Sequence, residues 1–129
     1  MTELPPARKL RVLVVDDERD TVMTLGILLR SEGIDVRLAT GGMQVPRAVA
    51  EFKPDAVLLD LGMPDHSGLD VDQELAQCYG RRCPVLIAVT GRNTEADRQR
   101  TATSGFRHHV AKPYDPEALL KLVLSINPQ

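Results

Sequence analysis

Tryptophan is absent from this chain of 129 residues, and aromatic residues make up only 3% of it. A core without aromatic bulk has to be built from Val, Leu, Ile and Ala, and base-stacking platforms for single-stranded nucleic acid are argued against. Charge of one sign is not in excess: the formal net charge is −2, so there is no global basic field to hold DNA or an anionic membrane. Arg81, Arg82, Arg92, Arg98, Arg100 and Arg107 are scattered, as on a solvated surface. No apolar run approaches the ~18 residues that a bilayer-spanning helix needs. The start, Met-Thr-Glu-Leu-Pro-Pro-Ala-Arg-Lys, has no hydrophobic signal region. Residues 1–8 read as a short polar lead-in and residues 9–127 as one cytoplasmic domain. Cysteine is scarce: Cys78 and Cys83 have no His or further Cys nearby to complete a metal site, which fits free thiols.

Set against these absences is a regular succession of apolar runs and helical patterns. Lys9 to Val15 is a basic lead into Leu10, Val12, Leu13, Val14 and Val15, a buried strand that ends on Asp16-Asp17-Glu18. Val22, Leu25, Leu28 and Leu29 recur at helical spacing over about Arg19 to Ser31, and Gly33 stops that helix. Ile34 to Ala39 alternates apolar and polar residues, the pattern of a half-buried strand near an edge. Met43 to Phe52 predicts a second helix, with Pro46 confined to its first turn. Ala56-Val57-Leu58-Leu59 is apolar throughout, as in the middle of a parallel sheet. It ends on Asp60, and the loop formers Gly62, Pro64, Ser67 and Gly68 follow.

Leu69 to Tyr79 predicts a third helix, and Pro84 to Val89 a second fully apolar strand that ends on Thr90-Gly91. Asn93 caps a polar, weakly anchored helix running to about Thr103. Gly105 to Ala111 is a short strand ending on Lys112-Pro113. Asp115 caps a last helix over Pro116 to about Ile126, with Leu119, Leu120, Val123 and Leu124 as its buried face.

Five repeats of strand then helix give an α/β fold, a parallel sheet with helices on both faces and right-handed crossovers. The carboxyl ends of such strands open onto one edge, where ligands bind. Here that edge gathers Asp16, Asp17, Asp60, Thr90 and Lys112. Singly these residues mean little: Asp60 can cap a helix or start a turn, and three acids can be the first turn of a helix, favoured by its dipole. Jointly they make a demanding site. Two carboxylates about 4 Å apart repel by ~4 kcal/mol at an effective dielectric near 20, so a cation has to compensate if they converge. Oxygen ligands of this kind bind Mg²⁺. A metal-flanked Asp can become an aspartyl phosphate, with Lys and Thr contacting the phosphoryl oxygens.

These residues and their placement resemble the receiver domain of two-component response regulators, most closely in wording the receivers of hybrid histidine kinases. The likeness covers about Lys9 to Ile126. It implies a flavodoxin-like (βα)5 doubly wound sheet of order 2-1-3-4-5, with Asp60 as phosphoacceptor. It further implies that Asp17, Asp60 and the main-chain carbonyl of Gly62 bind Mg²⁺ directly, with Asp16 acting mostly through water. Thr90 and Lys112 contact the phosphoryl group, and His109 stands at the usually aromatic switch position three residues before Lys112. Pro64 and Gly68 complete the loop pattern, and the peptide before Pro113 is expected to be cis.

Implied partners are a histidine kinase or histidine phosphotransfer domain docked on the first helix around Val22 and Met23. An output protein is expected on the face made by the helix after Thr90, the strand carrying His109, and the last helix. The only catalysis implied is the domain's own phosphorylation and dephosphorylation. Two positions depart from the commonest pattern, Gly62 and Arg92, and predict modest to slow self-dephosphorylation.

Three alternatives stand beside this reading. A DNA-binding regulator is disfavoured because the chain ends at Gln129, just past the last helix. A metal-dependent phosphatase or nucleotide-binding enzyme is disfavoured because no Gly-x-Gly-x-x-Gly or Walker loop follows the first strand. A degenerate receiver that acts as a phosphorylation-independent interaction module is disfavoured by the full set of acids, Thr and Lys.

Overall fold

A computed structural model describes residues 9–41, 44–60, 84–90, 106–112 and 114–126. Among the described residues there are five strands: β1 (Arg11–Val15), β2 (Asp35–Ala39), β3 (Ala56–Asp60), β4 (Val85–Thr90) and β5 (His108–Ala111). They form one sheet of order β2-β1-β3-β4-β5. Every neighbouring pair is parallel. The described helices are α1 (Arg19–Ser31), α2 (Val45–Phe52) and α3 (Pro116–Leu124), the last being the final helix of the chain. The predicted helices over Leu69 to Tyr79 and Asn93 to Thr103, and both cysteines, lie outside the described residues.

The continuous apolar runs become central strands because each residue parity finds its own core. Val12, Val14, Ala56, Leu58, Ile87 and Val89 pack with Val22, Leu25 and Leu29 of α1 and Leu119 and Val123 of α3. The intervening residues Leu13, Val15, Val57, Leu59, Leu86 and Ala88 pack with Val45, Ala48 and Val49 of α2 and with Phe106. Burying both faces explains why β1, β3 and β4 show no polar alternation. β2 lies at the edge, and there the exposed Asp35 and Arg37 alternate with buried Val36 and half-buried Leu38.

Helix ends follow local chemistry. Gly33, at φ +81°, closes α1: its N–H donates to Arg30 O and the Ile34 N–H to Leu29 O. A left-handed residue just past the last turn is where glycine carries no Cβ penalty. α2 runs from Val45 with Pro46 in its first turn, where a proline is tolerated. The Asp115 carboxylate accepts from the Glu117 N–H at 3.1 Å and so caps α3 as expected.

Two surface assignments need correction. Val22 is 2% exposed and belongs to the core, so it cannot face a partner. Leu124, expected on the buried face of the last helix, is 49% exposed: the packed face of α3 centres on Leu119 and Val123, one turn apart, with Leu120 and Leu122 beside it.

Candidate functional site

The carboxyl edge of the sheet brings together residues remote in sequence. Asp60 closes β3, the central strand, and Asp16 and Asp17 follow β1, its neighbour. Ligand oxygens of Asp16, Asp17 and Asp60 all lie within 4.8 Å of one another. Asp16 and Asp60 are buried and Asp17 is exposed. Lys112, just past β5, places its Nζ 3.1 Å from Asp16 Oδ2 and 3.4 Å from Asp60 Oδ2. Strand parity accounts for the meeting. Asp16 continues the series of Val12 and Val14, Asp60 that of Ala56 and Leu58, and Lys112 that of His108 and Val110, all on the face of α1 and α3.

The ammonium is the cation that the convergent acids require. Burial, the largest single influence, pulls the Lys112 pKa down. The hydrogen bond to Asp16 and the charges of Asp60 and Asp16 together outweigh it and raise the pKa above the ordinary lysine value. Asp16 is used at both ends: Oδ2 accepts from Lys112 at 3.1 Å and Oδ1 accepts from the Glu18 N–H at 3.0 Å. Glu18 is the N-cap of α1, whose side chain makes no capping bond, so Asp16 also fixes the start of that helix.

The donor set fits a small hard cation. Two ligands on opposite sides of Mg²⁺, each at 2.0–2.1 Å, stand about 4.2 Å apart, and Mg²⁺ usually keeps several waters. A spread of up to 4.8 Å therefore suits direct ligation by part of the set and water on the rest.

Of the other expected site residues, Thr90 ends β4 at the same edge, in register with Ala111. His109 pairs with Ala88 and so lies on the opposite pleat face from Val110; it is half-buried, with its Nε2 atom buried. Gly62, Pro64, Gly68, Arg92 and Pro113 lie outside the described residues, as does the side chain of Thr90.

Tyr114 and Ile27 escaped the sequence reading. Tyr114 lines an open groove of about 280 Å³ between α1 and the start of α3, together with Asp20, Thr21, Thr24, Leu25, Leu28 and Pro116. Burial first, then the charges of Asp16 and Glu18 against that of Lys112, raise the Tyr114 pKa. Met23 and Ile27, 56% and 66% exposed, form an apolar patch at i,i+4 spacing on the outer face of α1. The i,i+4 step from Met23 was the available signal for Ile27.

The family model of the response regulator receiver domain matches residues 12–124. The chain belongs to that family. Among curated relatives, this receiver is 36% identical over 113 residues to the DNA-binding response regulator MtrA of Mycolicibacterium paratuberculosis, covering 88% of this chain and 49% of that protein. It is 37% identical over 109 residues to the transcriptional regulatory protein KdpE of Mycobacterium tuberculosis, covering 84% of this chain and 47% of that one. The receiver thus spans about half the length of the curated relatives it matches. Their names are those of DNA-binding and transcriptional regulators, not of hybrid kinases. Among solved structures, the signal receiver domain of a response regulator from Bermanella marisrubri is 30% identical, with a TM-score of 0.83 over 92% of this chain and 98% of that one. The receiver of Saccharomyces cerevisiae Ssk1, solved with the histidine phosphotransfer protein Ypd1, has the same fold, with a TM-score of 0.85 at 23% identity over 92% of this chain and 89% of that one. No described helix of this receiver is long and apolar enough to cross a membrane.

Proposed function

We propose that the receiver accepts a phosphoryl group on Asp60 from a histidine kinase or histidine phosphotransfer domain, with Mg²⁺ held by the acidic cluster, and that the modified site switches a surface read by an output protein. The observation that carries this reading is the seating of the Lys112 ammonium between Asp16 and Asp60, at 3.1 and 3.4 Å. A carboxylate destined for phosphorylation needs a positive partner for the charge it acquires, and phosphoryl transfer is mainly positioning and charge neutralisation.

In this reading an Asp60 carboxylate oxygen bonds to phosphorus as the phosphorus–nitrogen bond to the donor imidazole breaks, its electron pair leaving on nitrogen. Lys112 turns from Asp16 to an oxygen of the arriving group, and Thr90 is drawn to another. Asp16, Asp17, Asp60 and the Gly62 carbonyl would hold Mg²⁺, which when bound neutralises charge on the phosphoryl oxygens. His109 follows Thr90 as the switch residue. The exposed Met23–Ile27 patch on α1 supports docking of the histidine donor there. The solved pairing of another receiver with a phosphotransfer protein fits that partner class. The exposed Leu124 on α3 supports an output surface that includes β5 and α3.

The test is incubation with Mg²⁺ and acetyl phosphate followed by intact mass. The expected result is the gain of one acid-stable, base-labile phosphoryl group, absent in Asp60→Asn. Continued turnover of acetyl phosphate by unmodified protein would indicate an enzyme, and no modification at all would indicate a binding module.

A further inference from the structure

The outer rim of β2 carries a contact with no part in phosphoryl transfer. Among the described residues β2 ends the sheet, with β1 on one side and no strand on the other. Main-chain direction alternates along a strand. The Asp35 N–H donates to Leu10 O at 2.9 Å, and the Ala39 carbonyl accepts from the Asp16 N–H at 3.1 Å. Residues 35, 37 and 39 therefore turn their main chain toward β1, and Val36 and Leu38 turn theirs outward. A row of outward N–H and C=O groups is a template for another strand.

One of those groups is taken. Arg30, in the last turn of α1, donates from Nη2 to the Val36 carbonyl at 3.0 Å. The chain keeps this reach short. Gly33 reverses the backbone straight after the helix, and the Ile34 N–H returns to Leu29 O, so β2 starts beside the end of α1. A guanidinium bond of this kind is charge-assisted and stronger than a neutral one.

The strand that matches this rim is β2 of a second copy. Two copies related by a two-fold axis pair antiparallel. With Val36 opposite Val36, each outward Val36 N–H meets the other copy's Val36 carbonyl, and each Leu38 N–H meets the other copy's Ile34 carbonyl. The same register sets the exposed Asp35 opposite Arg37, and opposite charges attract across a strand pair. Arg37 is already fixed on that face by Glu51, at 3.0 Å. Centring the pair on Arg37 would also match outward groups, but it sets Arg37 against Arg37.

We propose that Arg30 guards the β2 edge: by occupying the Val36 carbonyl it keeps that edge from pairing antiparallel, Val36 to Val36, with β2 of a second copy of this chain. The inference is independent of the phosphoryl-transfer reading. Pairing breaks the Arg30 bond in each copy before the new main-chain bonds form. Arg30 is exposed, and Met and Ala both favour a helix, so its replacement opens the edge and leaves α1 intact.

The experiment measures self-association of the parent, Arg30→Met, Arg30→Ala and the double variant Arg30→Met with Asp35→Arg. Sedimentation velocity over a range of chain concentrations gives the affinity. Amide hydrogen exchange of Val36 and Leu38, followed by NMR in the same samples, shows which edge is used. Both single variants should associate at least about tenfold more tightly than the parent, because a charge-assisted bond no longer has to break in each copy. Their Val36 and Leu38 amides should gain protection as concentration rises, while those of the parent should exchange at rates independent of concentration. Asp35→Arg sets like charges opposite each other and should return Arg30→Met to the parent's affinity.

Single variants that associate no more tightly than the parent overturn the proposal. So does association that leaves the Val36 and Leu38 amides unprotected, because it uses another face. Association confined to Arg30→Met belongs to the apolar stem of methionine and overturns it too, as does a double variant that pairs as tightly as Arg30→Met.

Discussion

Lys112→Met replaces the ammonium by an apolar side chain of similar length and leaves Asp16, Asp17 and Asp60 in place. With oxygens within 4.8 Å, each carboxylate pair repels by about 3.5 kcal/mol at an effective dielectric of 20. The ammonium, at 3.1 and 3.4 Å from two of them, contributes about 5 kcal/mol of attraction to each at the same dielectric. Its own desolvation offsets several kcal/mol of that. Removing one partner of a fully buried pair costs ~3–5 kcal/mol, and the Lys112 side chain is 28% exposed, so the expected loss is about 2–3 kcal/mol. For 129 residues, with an unfolding entropy of ~2.1 cal/mol/K per residue, this lowers Tm by about 7–11 °C.

The assay is thermal unfolding at pH 7.5, in EDTA and in excess Mg²⁺. A ligand at 100 times its dissociation constant stabilises by about 2.7 kcal/mol, so Mg²⁺ should recover most of the deficit. The gain should be larger for the variant than for the parent, because the ammonium no longer competes for the acids. The reasoning is refuted if Lys112→Met unfolds at the parent's temperature in EDTA, or if Mg²⁺ raises both proteins equally.

Three further outcomes follow from the same geometry. Because the folded-state pKa of Lys112 is raised above 10.5, its contribution to stability is complete below the ordinary lysine value and is lost as pH climbs through the higher folded one. The stability gap between the parent and Lys112→Met, measured by urea unfolding, should therefore be constant from neutral pH to about pH 10 and close above it. Asp115→Ala removes the cap of α3 and should cost about 1 kcal/mol, read as a lower urea midpoint with unchanged slope. Met23→Lys and Ile27→Lys alter exposed positions and should change stability by less than ~0.5 kcal/mol. They should nevertheless slow transfer from a phosphorylated histidine phosphotransfer protein at least tenfold while leaving acetyl phosphate unaffected; equal loss with both donors would remove α1 as the docking helix.

The sheet was legible because a parallel strand buried on both faces has no polar alternation, and few other elements do. Ala56 to Leu59 and Pro84 to Val89 could be read as strands for that reason, and the same burial makes the parity of the residues at their ends meaningful. What was not legible depends on contacts rather than pattern. Val22 and Met23 are adjacent in sequence and both apolar. A helix turns about 100° between them, and only the packing of Val22 against the sheet, beside Leu25 and Leu29, decides which one faces water. Leu124 fits the apolar stripe of α3 by spacing, yet the helix stops there and the residue stays outside. Tyr114 belongs to no periodic series at all. Its surroundings come from α1, far away along the chain, and no local rule carries that information.

The acids were conspicuous for an energetic reason. Three carboxylates at one rim are unfavourable for the chain that holds them, and a cation 96 residues from Asp16 in sequence is what makes the arrangement tolerable. Among the described residues the acids outnumber the cation. Among the described residues, one ammonium within 3.4 Å of Asp16 and Asp60 faces the three carboxylates. The residual negative charge sits where the sheet opens to solvent, and it favours a further cation over a further anion. In the proposed reaction an anionic phosphoryl donor would meet that charge, and a divalent ion held by the acids would offset it. Phosphorylation measured against Mg²⁺ concentration should vanish at its lower limit, whichever donor is used. Modification that persisted in EDTA would refute the need for a divalent ion.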